Sequence, residues 1–462
     1  YRESYSGRAV VADIDILEQL SAERPWAVDI YRRDGDDDTS ANLKVFSRGR
    51  PMPLSERVPL LENLGFRVVN ERTHRIFPAG AGDDARVWLH DMRLERAAGG
   101  AIDVEVLQPA IEAALMALFR DLTESDGFNA LVLEAGLGWR EVALLRSLAI
   151  YLRQIGVHFS MGYLAGAVTR HAAIATEIIA LFYARFDPRL DEATRSTRQV
   201  EIHARIEELL QGVASLDDDR ILRRFVNLID AAIRTNFFQV DKDGNPRRTI
   251  AVKYACAKVD GLPMPKPLYE IFVHSPRVDG VHLRFGKVAR GGLRWSDRAQ
   301  DFRTEVLGLV KAQQVKNAVI VPVGAKGGFL PKRLPAPGDR QAFMAEGAEA
   351  YRIFVSSMLD ITDNREGEAI IHPPLTVRYD DDDPYLVVAA DKGTATFSDL
   401  ANSISADHKF WLGDAFASGG SQGYDHKKMG ITARGAWEAV KRHFRELDID
   451  IQATPVRVAG VG

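Results

Sequence analysis

A single cysteine, Cys256, stands in 462 residues. That scarcity rules out an intramolecular disulfide and any multi-cysteine zinc or iron–sulfur site within the chain. A lone thiol fits a reducing compartment, so the cytoplasm is the expected location. Long apolar runs are missing as well. A membrane helix needs roughly 18 consecutive apolar residues, and the richest stretch, 142–186, is broken by Arg146, Arg153, His158 and Arg170. Neither sign of charge dominates: 60 Lys and Arg stand against 64 Asp and Glu, for a formal net charge of -4. Nucleic acid and anionic membrane are therefore not expected partners. What is present is ample apolar material, 46% of the residues, in a chain too long for one core; roughly two to four domains are expected. The chain opens Tyr1-Arg2-Glu3-Ser4-Tyr5 and closes partway through a glycine motif at 458–462, which reads as an internal piece of a longer polypeptide.

Periodicity divides the chain. Between about 20 and 100, Trp26 to Arg32, Asn42 to Ser47, Arg67 to Phe77 and Ala85 to Glu95 alternate as strands. Leu54 to Leu64 reads as a helix, with Gly65 as its stop. A hairpin, a helix and two more strands suggest a ferredoxin-like (ACT-like) α+β unit over 1–102. From 103 to 244 the pattern is helical: Val106 to Leu122, Trp139 to Ile155, Ala172 to Phe186, Gln199 to Gly212 and Ile221 to Phe237. This stretch is expected to be a helical connector. Beyond 245, β-rich segments (Thr249 to Ala255, Tyr269 to His274, Gly280 to Phe285) lead into alternating helices and strands. That alternation predicts an α/β domain over 245–429 with a largely parallel sheet. The whole chain is thus expected to be multidomain α/β.

Three clusters concentrate glycine and charge. In Arg290-Gly291-Gly292-Leu293-Arg294-Trp295, glycines permit close backbone approach and arginines suit a carboxylate; a turn with solvated arginines fits the same residues. The apolar run Ala318 to Val323 should deliver Gly324-Ala325-Lys326-Gly327-Gly328 at the carboxyl end of a strand, where ligands bind in open α/β sheets. Small neighbours leave Lys326 approachable. A phosphate loop is excluded, because GxxxxGK[ST] is absent. In Ala389-Ala390-Asp391-Lys392-Gly393-Thr394 a second strand ends in an acid. A lysine and an aspartate at neighbouring strand ends form a polarising and proton-moving pair.

These segments, taken in order, resemble the glutamate dehydrogenases, most closely the large NAD-specific bacterial class: RGGLRW at 290–295, VKNAVIVPVGAKGG at 315–328, AADKGT at 389–394, GGSQG at 419–423 with GITARGAW at 430–437, and VAGVG at 458–462. The resemblance implies oxidative deamination of L-glutamate to 2-oxoglutarate and ammonia, with hydride passing to NAD. It implies that Lys326 is the catalytic lysine and Asp391 the acid/base. Lys316 would hold the α-carboxylate, and Arg290, where the family has lysine, would lie near the far carboxylate beside Gly291 and Gly292. Thr432 and Ser421 would face the cofactor, and Gly460 with Gly462 would begin the pyrophosphate turn of a Rossmann domain starting at 430–462. A homo-oligomer in the full-length protein is implied too.

Other features carry less. Asp380-Asp381-Asp382-Asp383 cannot all point inward and is expected to be a solvated loop rather than a metal site. Asp241 to Pro246 fails the calcium-loop pattern, with Gly244 misplaced. His408 and His426 lack metal spacing. Cys256, Trp411 and Phe416 read as packing residues. Two rival functions remain: a non-catalytic, dicarboxylate-binding or regulatory module, separable by calorimetry with glutamate and with NAD; and a Schiff-base enzyme built on Lys326, separable by borohydride trapping.

Overall fold

The computed structural model describes residues 5, 7–78, 85–314, 323–336, 338–421 and 426–457. After helix α1 (Gly7–Glu18), alternating apolar residues build strands β1 (Trp26–Tyr31), β2 (Ser40–Arg48), β3 (Phe66–Ile76) and β4 (Val87–Arg96). Helix α2 (Leu54–Asn63) lies between β2 and β3, and α3 (Val104–Phe119) follows β4. The strands are all antiparallel, in the order β1-β2-β4-β3. This is the ferredoxin-like arrangement with its last strand moved to the front. Gly65 ends the α2 region with a φ of 91°, a conformation that suits glycine. One sheet face (Leu43, Val45, Met92, Leu94) is buried in a core shared with α2 and α3. The other carries Phe46, Val87 and Leu89 against Ile16 and Leu17 of α1. On that side Lys44 Nζ donates to both oxygens of Asp13, at 2.7 and 2.8 Å.

Helices follow: α4 (Leu131–Glu134), α5 (Trp139–Gln154), α6 (Met161–Arg170), α7 (Ala172–Phe186), α8 (Glu192–Leu210) and α9 (Leu216–Ala231). Their starts are set by local chemistry. Ser160, Asp191 and Ser215 accept hydrogen bonds from the backbone N–H of Tyr163, Thr194 and Asp218, satisfying donors that a helix start leaves orphaned. The apolar faces of these helices join the first sheet and part of the second in one continuous core. No single described helix is long and apolar enough to cross a membrane.

The remaining chain forms a seven-stranded sheet from β5 (Ala232–Thr235), β6 (Ile250–Ala255), β7 (Tyr269–His274), β8 (Val278–Arg284), β9 (Ala289–Trp295), β10 (Val323–Pro331) and β13 (Val388–Ala390). Helix α10 (Phe302–Lys311) precedes β10. Helix α11 (Arg340–Leu359) and the small hairpin β11 (Asn364–Glu366) with β12 (Ala369–Ile371) follow it. Then come α12 (Ser398–Asp407), α13 (His426–Met429) and α14 (Ile431–Glu446). The order is β13-β9-β10-β8-β7-β6-β5, parallel only across β13-β9-β10. The expected largely parallel sheet is therefore a mixed one. The reason is local: three residues, 275–277, join β7 to β8, and so short a connection only reverses the chain. Parallel neighbours need a crossover, which α10 and α11 supply.

Two more expectations change. The strand expected over 318–323 falls outside the described residues except for Val323, where β10 begins, so Lys326 lies within a strand and not in a loop beyond one. The acidic run is not wholly solvated. Asp380 and Asp383 point inward: Arg234 Nε donates to Asp380 at 2.6 Å, and Lys253 Nζ donates to Asp380 at 2.5 Å and to Asp383 at 2.7 Å. Only Asp381 and Asp382 face outward, toward Lys287 and Arg378. The loop turns the first and last of the four acids inward and the middle two outward, where the sequence treats them as one run.

Candidate active site

The parallel edge of the large sheet builds the site. In β9, Arg290, Gly292 and Arg294 share one face by the period of two. β10 pairs with it so that Gly324 lies opposite Arg290 and Gly327 opposite Leu293. Gly324, Lys326 and Gly328 therefore share the same face of β10. The glycines there have a mechanical purpose. A Cβ at Gly328 would stand 2.6 Å from Val306 Cγ2 of α10, and one at Gly324 would collide with the Gln313 carbonyl just beyond that helix. Their bareness lets α10 lie directly on the strand, with Lys326 between them and only 5% exposed.

Asp391 arrives from the end of β13 through a pinned turn. Its backbone N–H donates to Thr394 Oγ1 at 3.0 Å, and that hydroxyl donates to the Leu293 carbonyl at 2.7 Å. Gly393 takes a φ of 85°, and a Cβ there would stand 2.7 Å from Trp295 Cβ. The turn is thus fastened to β9, with the Asp391 carboxylate above Gly292.

Lys326 Nζ lies 2.6 Å from Asp391 Oδ2. Arg294 Nε donates to the same oxygen at 3.0 Å, and its Nη1 donates to Glu305 Oε1 at 3.0 Å. Burial pushes the Asp391 carboxyl up. The hydrogen bonds from Lys326 and Arg294 more than reverse this and hold it below the usual carboxylate range. At pH 7 the aspartate is a charged acceptor between two cations, in a site still open to solvent: its side chain is 20% exposed.

The expected residues are brought together unevenly. Lys326 and Asp391 meet. Arg290 shares their face, roughly 7 Å along the sheet from Lys326 by strand rise, and its Nη2 donates to Ser418 Oγ. Gly291 and Gly292 lie in mid-strand, not in a turn: a Cβ at Gly291 would strike the Ala325 carbonyl, and one at Gly292 would stand 2.8 Å from the Ala390 carbonyl. Neighbouring backbone occupies the space they open. Ser421 donates through its N–H (2.7 Å) and Oγ (3.0 Å) to Asp399 on α12. Thr432 sits in the first turn of α14, a largely exposed helix. Lys316, Gly460 and Gly462 lie outside the described residues. A dinucleotide would need a glycine turn against a helix N-terminus, and the described residues assemble no such cradle. Glu305 was not singled out from the sequence, and Arg294 was read only as one of two arginines suited to a carboxylate, without a role of its own. The signal was available: Arg294 follows Arg290 by four residues in a strand, which places both on one face.

Among the described residues, Asp363, His372 and Asp382 come close enough to suggest a cation site. Arg234 and Arg378 already bind this group, and it carries no metal argument.

Comparison with known families agrees with this architecture. Residues 205–462 match the model described as the bacterial NAD-glutamate dehydrogenase catalytic domain. Residues 123–188 match glutamate dehydrogenase helical motif 3, and residues 25–107 match the glutamate dehydrogenase ACT3 domain. The chain is 50% identical over 462 residues to an NAD-specific glutamate dehydrogenase of Halomonas elongata, and 50% identical over 465 residues to one of Pseudomonas aeruginosa; each alignment covers 100% of this chain and 28% of the relative. A Mycobacterium tuberculosis protein of the same name is 46% identical over 477 residues, covering 100% of this chain and 29% of its own length. The chain therefore spans under a third of the relatives it matches.

Proposed function

This chain belongs to the bacterial NAD-glutamate dehydrogenase family, and from that premise we propose that it supplies the substrate-binding and proton-transfer half of an enzyme that oxidatively deaminates L-glutamate. The observation that carries the reading is the 2.6 Å contact between Lys326 and Asp391 at the parallel end of the large sheet. We take NAD as the cofactor from the relatives' names; when bound in the whole protein it would accept the hydride released from the substrate Cα. What this chain's residues do is orient and move protons. Lys326 leaves Asp391 for the oxygen of the attacking water and of the product carbonyl. Asp391 takes a proton from the substrate ammonium and returns it to the departing amine. The products are 2-oxoglutarate and ammonia.

A two-headed acid needs cations at both ends. Arg290, set on the same face as Lys326, is the proposed partner of the far carboxylate, with Gly291 and Gly292 beside it, and Lys316 that of the α-carboxylate. Ser421, Thr432, Gly460 and Gly462 are proposed to serve the cofactor from the GGS loop and a Rossmann unit beginning within 430–462. The division into units at 1–102, 103–244 and 245–429, a cytoplasmic location and homo-oligomeric assembly of the whole protein belong to the same reading. A second reading is that this chain taken alone is a non-catalytic dicarboxylate-binding module. By itself it binds the dicarboxylate and turns nothing over, and calorimetry would then give heat with glutamate and none with NAD.

The decisive test is Lys326→Ala in the full-length protein. Turnover should fall by about 10²–10⁴-fold while the circular dichroism spectrum is kept. Near-normal turnover in that variant ends the assignment.

A further inference from the structure

The Lys326–Asp391 pair has a third member for which the proposed chemistry has no use. Arg294 reaches the same carboxylate oxygen, Oδ2, with Nε at 3.0 Å, and Glu305 Oε1 with Nη1 at 3.0 Å. The second oxygen of Glu305 accepts from Ser296 Oγ at 2.8 Å. The guanidinium is thus gripped from both sides. Helix α10, which carries Glu305, is itself anchored. The Arg303 backbone N–H donates to Gln154 Oε1 of α5 at 3.1 Å, and the Arg303 guanidinium makes two 2.7 Å hydrogen bonds to Glu270 of β7. Both of those side chains are fully buried. Arg294 therefore rests on a fixed frame, whereas among the described residues the polar contact of Lys326 is with the carboxylate it shares.

The difference matters once a substrate arrives. Lys326 must share its N–H donors between the substrate oxygen and Asp391, so one of the two side-chain donors that hold the carboxylate weakens at the moment it must act. We propose, as a deepening of the reading above, that Arg294 is a positioning residue. It keeps Oδ2 of Asp391 in place while Lys326 turns to the substrate, so that Oδ1 faces the amine and receives its proton. The proton leaves the substrate nitrogen and forms an O–H bond at Oδ1. Arg294 stays protonated throughout, as a guanidinium does. Glu305 and Ser296 set the angle of the arginine. Among the described residues, the charged groups facing Asp391 are Lys326 from β10 and Arg294 from β9, with Glu305 of α10 behind the arginine. With the lysine engaged elsewhere, Arg294 is the cation that remains.

The test uses the full-length protein. Arg294→Gln should lower kcat by about 10- to 100-fold, with KM for glutamate nearly unchanged. It should also move the acid limb of the kcat/KM profile to higher pH, because a cation that favours the charged aspartate is gone. Arg294→Lys keeps the charge and loses the fork, so it should return the acid limb toward its original position while kcat stays low. Wild-type kcat in Arg294→Gln, or an equal loss of kcat in both variants with neither limb displaced, overturns the proposal; the latter would mark a merely structural arginine. Should Arg294→Gln fail to fold, Glu305→Gln decides. It keeps the shape and loosens the grip, and should lower kcat about 3- to 10-fold with KM unchanged; unchanged kcat overturns the proposal. Failure of the underlying reading registers separately, as an absence of glutamate-dependent NADH formation by the unsubstituted protein.

Discussion

One sheet carries two clusters of charge, and they are built to opposite ends. Toward β5, Arg234, Lys253 and Arg284 meet Asp363, Asp380 and Asp383. The closing contacts are Arg234 Nη2 to Asp363 at 3.0 Å and the Asp383 backbone N–H to Asp363 at 2.7 Å. Three cations face three acids, and none of these side chains is more than 6% exposed. Toward β13, Lys326, Arg294, Asp391 and Glu305 form a similar chain of pairs, but Asp391 is 20% and Arg294 18% exposed. A buried cluster costs desolvation that close pairing must offset, and here one oxygen, Asp383 Oδ1, has no hydrogen-bond partner among the described residues. An open one keeps its charges within reach of solvent, where a proton can come and go. The same residue types thus hold a fold at one edge and offer chemistry at the other.

The distinction is sharpest in what removal does. Asp391→Asn in the full-length protein should lower turnover by about 10²–10⁴-fold and lower the melting temperature less than Asp383→Ala does, since the amide still fills the space although Lys326 loses its carboxylate. Steady-state kinetics beside a thermal melt reads both. Asp383→Ala should do the reverse. It leaves Arg284 without its carboxylate partner in the interior and Lys253 with Asp380 alone, at a cost of about 3–5 kcal/mol, seen as faster hydrogen exchange at β6 and β8. A variant that exchanges like the parent would erase the contrast between the clusters. Acid adds a gentler probe. Asp363 and Asp383 are driven up by burial, but Arg234 and the Arg284–Lys253 pair respectively hold both below the usual range. A depressed folded pKa contributes stability above the unfolded value, near 4, and that stability is lost as pH falls further.

Much of this was legible from residue patterns, and the failures share a cause. The first sheet's strands and the long helices follow from period and caps, as Trp139–Gln154 and Ala172–Phe186 illustrate. The lysine and the aspartate, which the structure brings into contact, stand out in the sequence by the glycines beside them. Helix α1 was missed: it folds onto the first sheet around Lys44 and Asp13, a pairing 31 residues apart that no local pattern carries. The parallel sheet was overstated because alternation of helices and strands after β8 was extended backward over hairpins. Gly324 and Gly328 were read as room for a ligand, although their space belongs to α10. Asp380 and Asp383 were read as solvated because their cationic partners lie on strands about a hundred or more residues earlier. Long-range pairing is the term that sequence periodicity omits.

His282 borders the buried cluster and tests how closed that cluster is. It stands on β8 opposite Gly327, next to Lys326, and it shares a small cavity lining with Lys253, Arg284 and Asp383. Its Nε2 has no hydrogen-bond partner among the described residues. Burial, with Arg284 adding to it and Asp383 opposing, holds the imidazole down to about 3. In the unfolded chain it would titrate near 6.5. Between these values the unfolded state binds the extra proton, so stability rises with pH across the window and is lost as pH falls from about 6.5, by at most about 1.4 kcal/mol per pH unit. His282→Gln removes that dependence. Hydrogen exchange at β8 and β10, followed from pH 7 to pH 5 with correction for intrinsic rates, should show protection falling in the parent and falling less in the variant. If the two slopes coincide, the imidazole is already charged or solvated in the folded protein, and the buried cluster is less closed than its geometry implies.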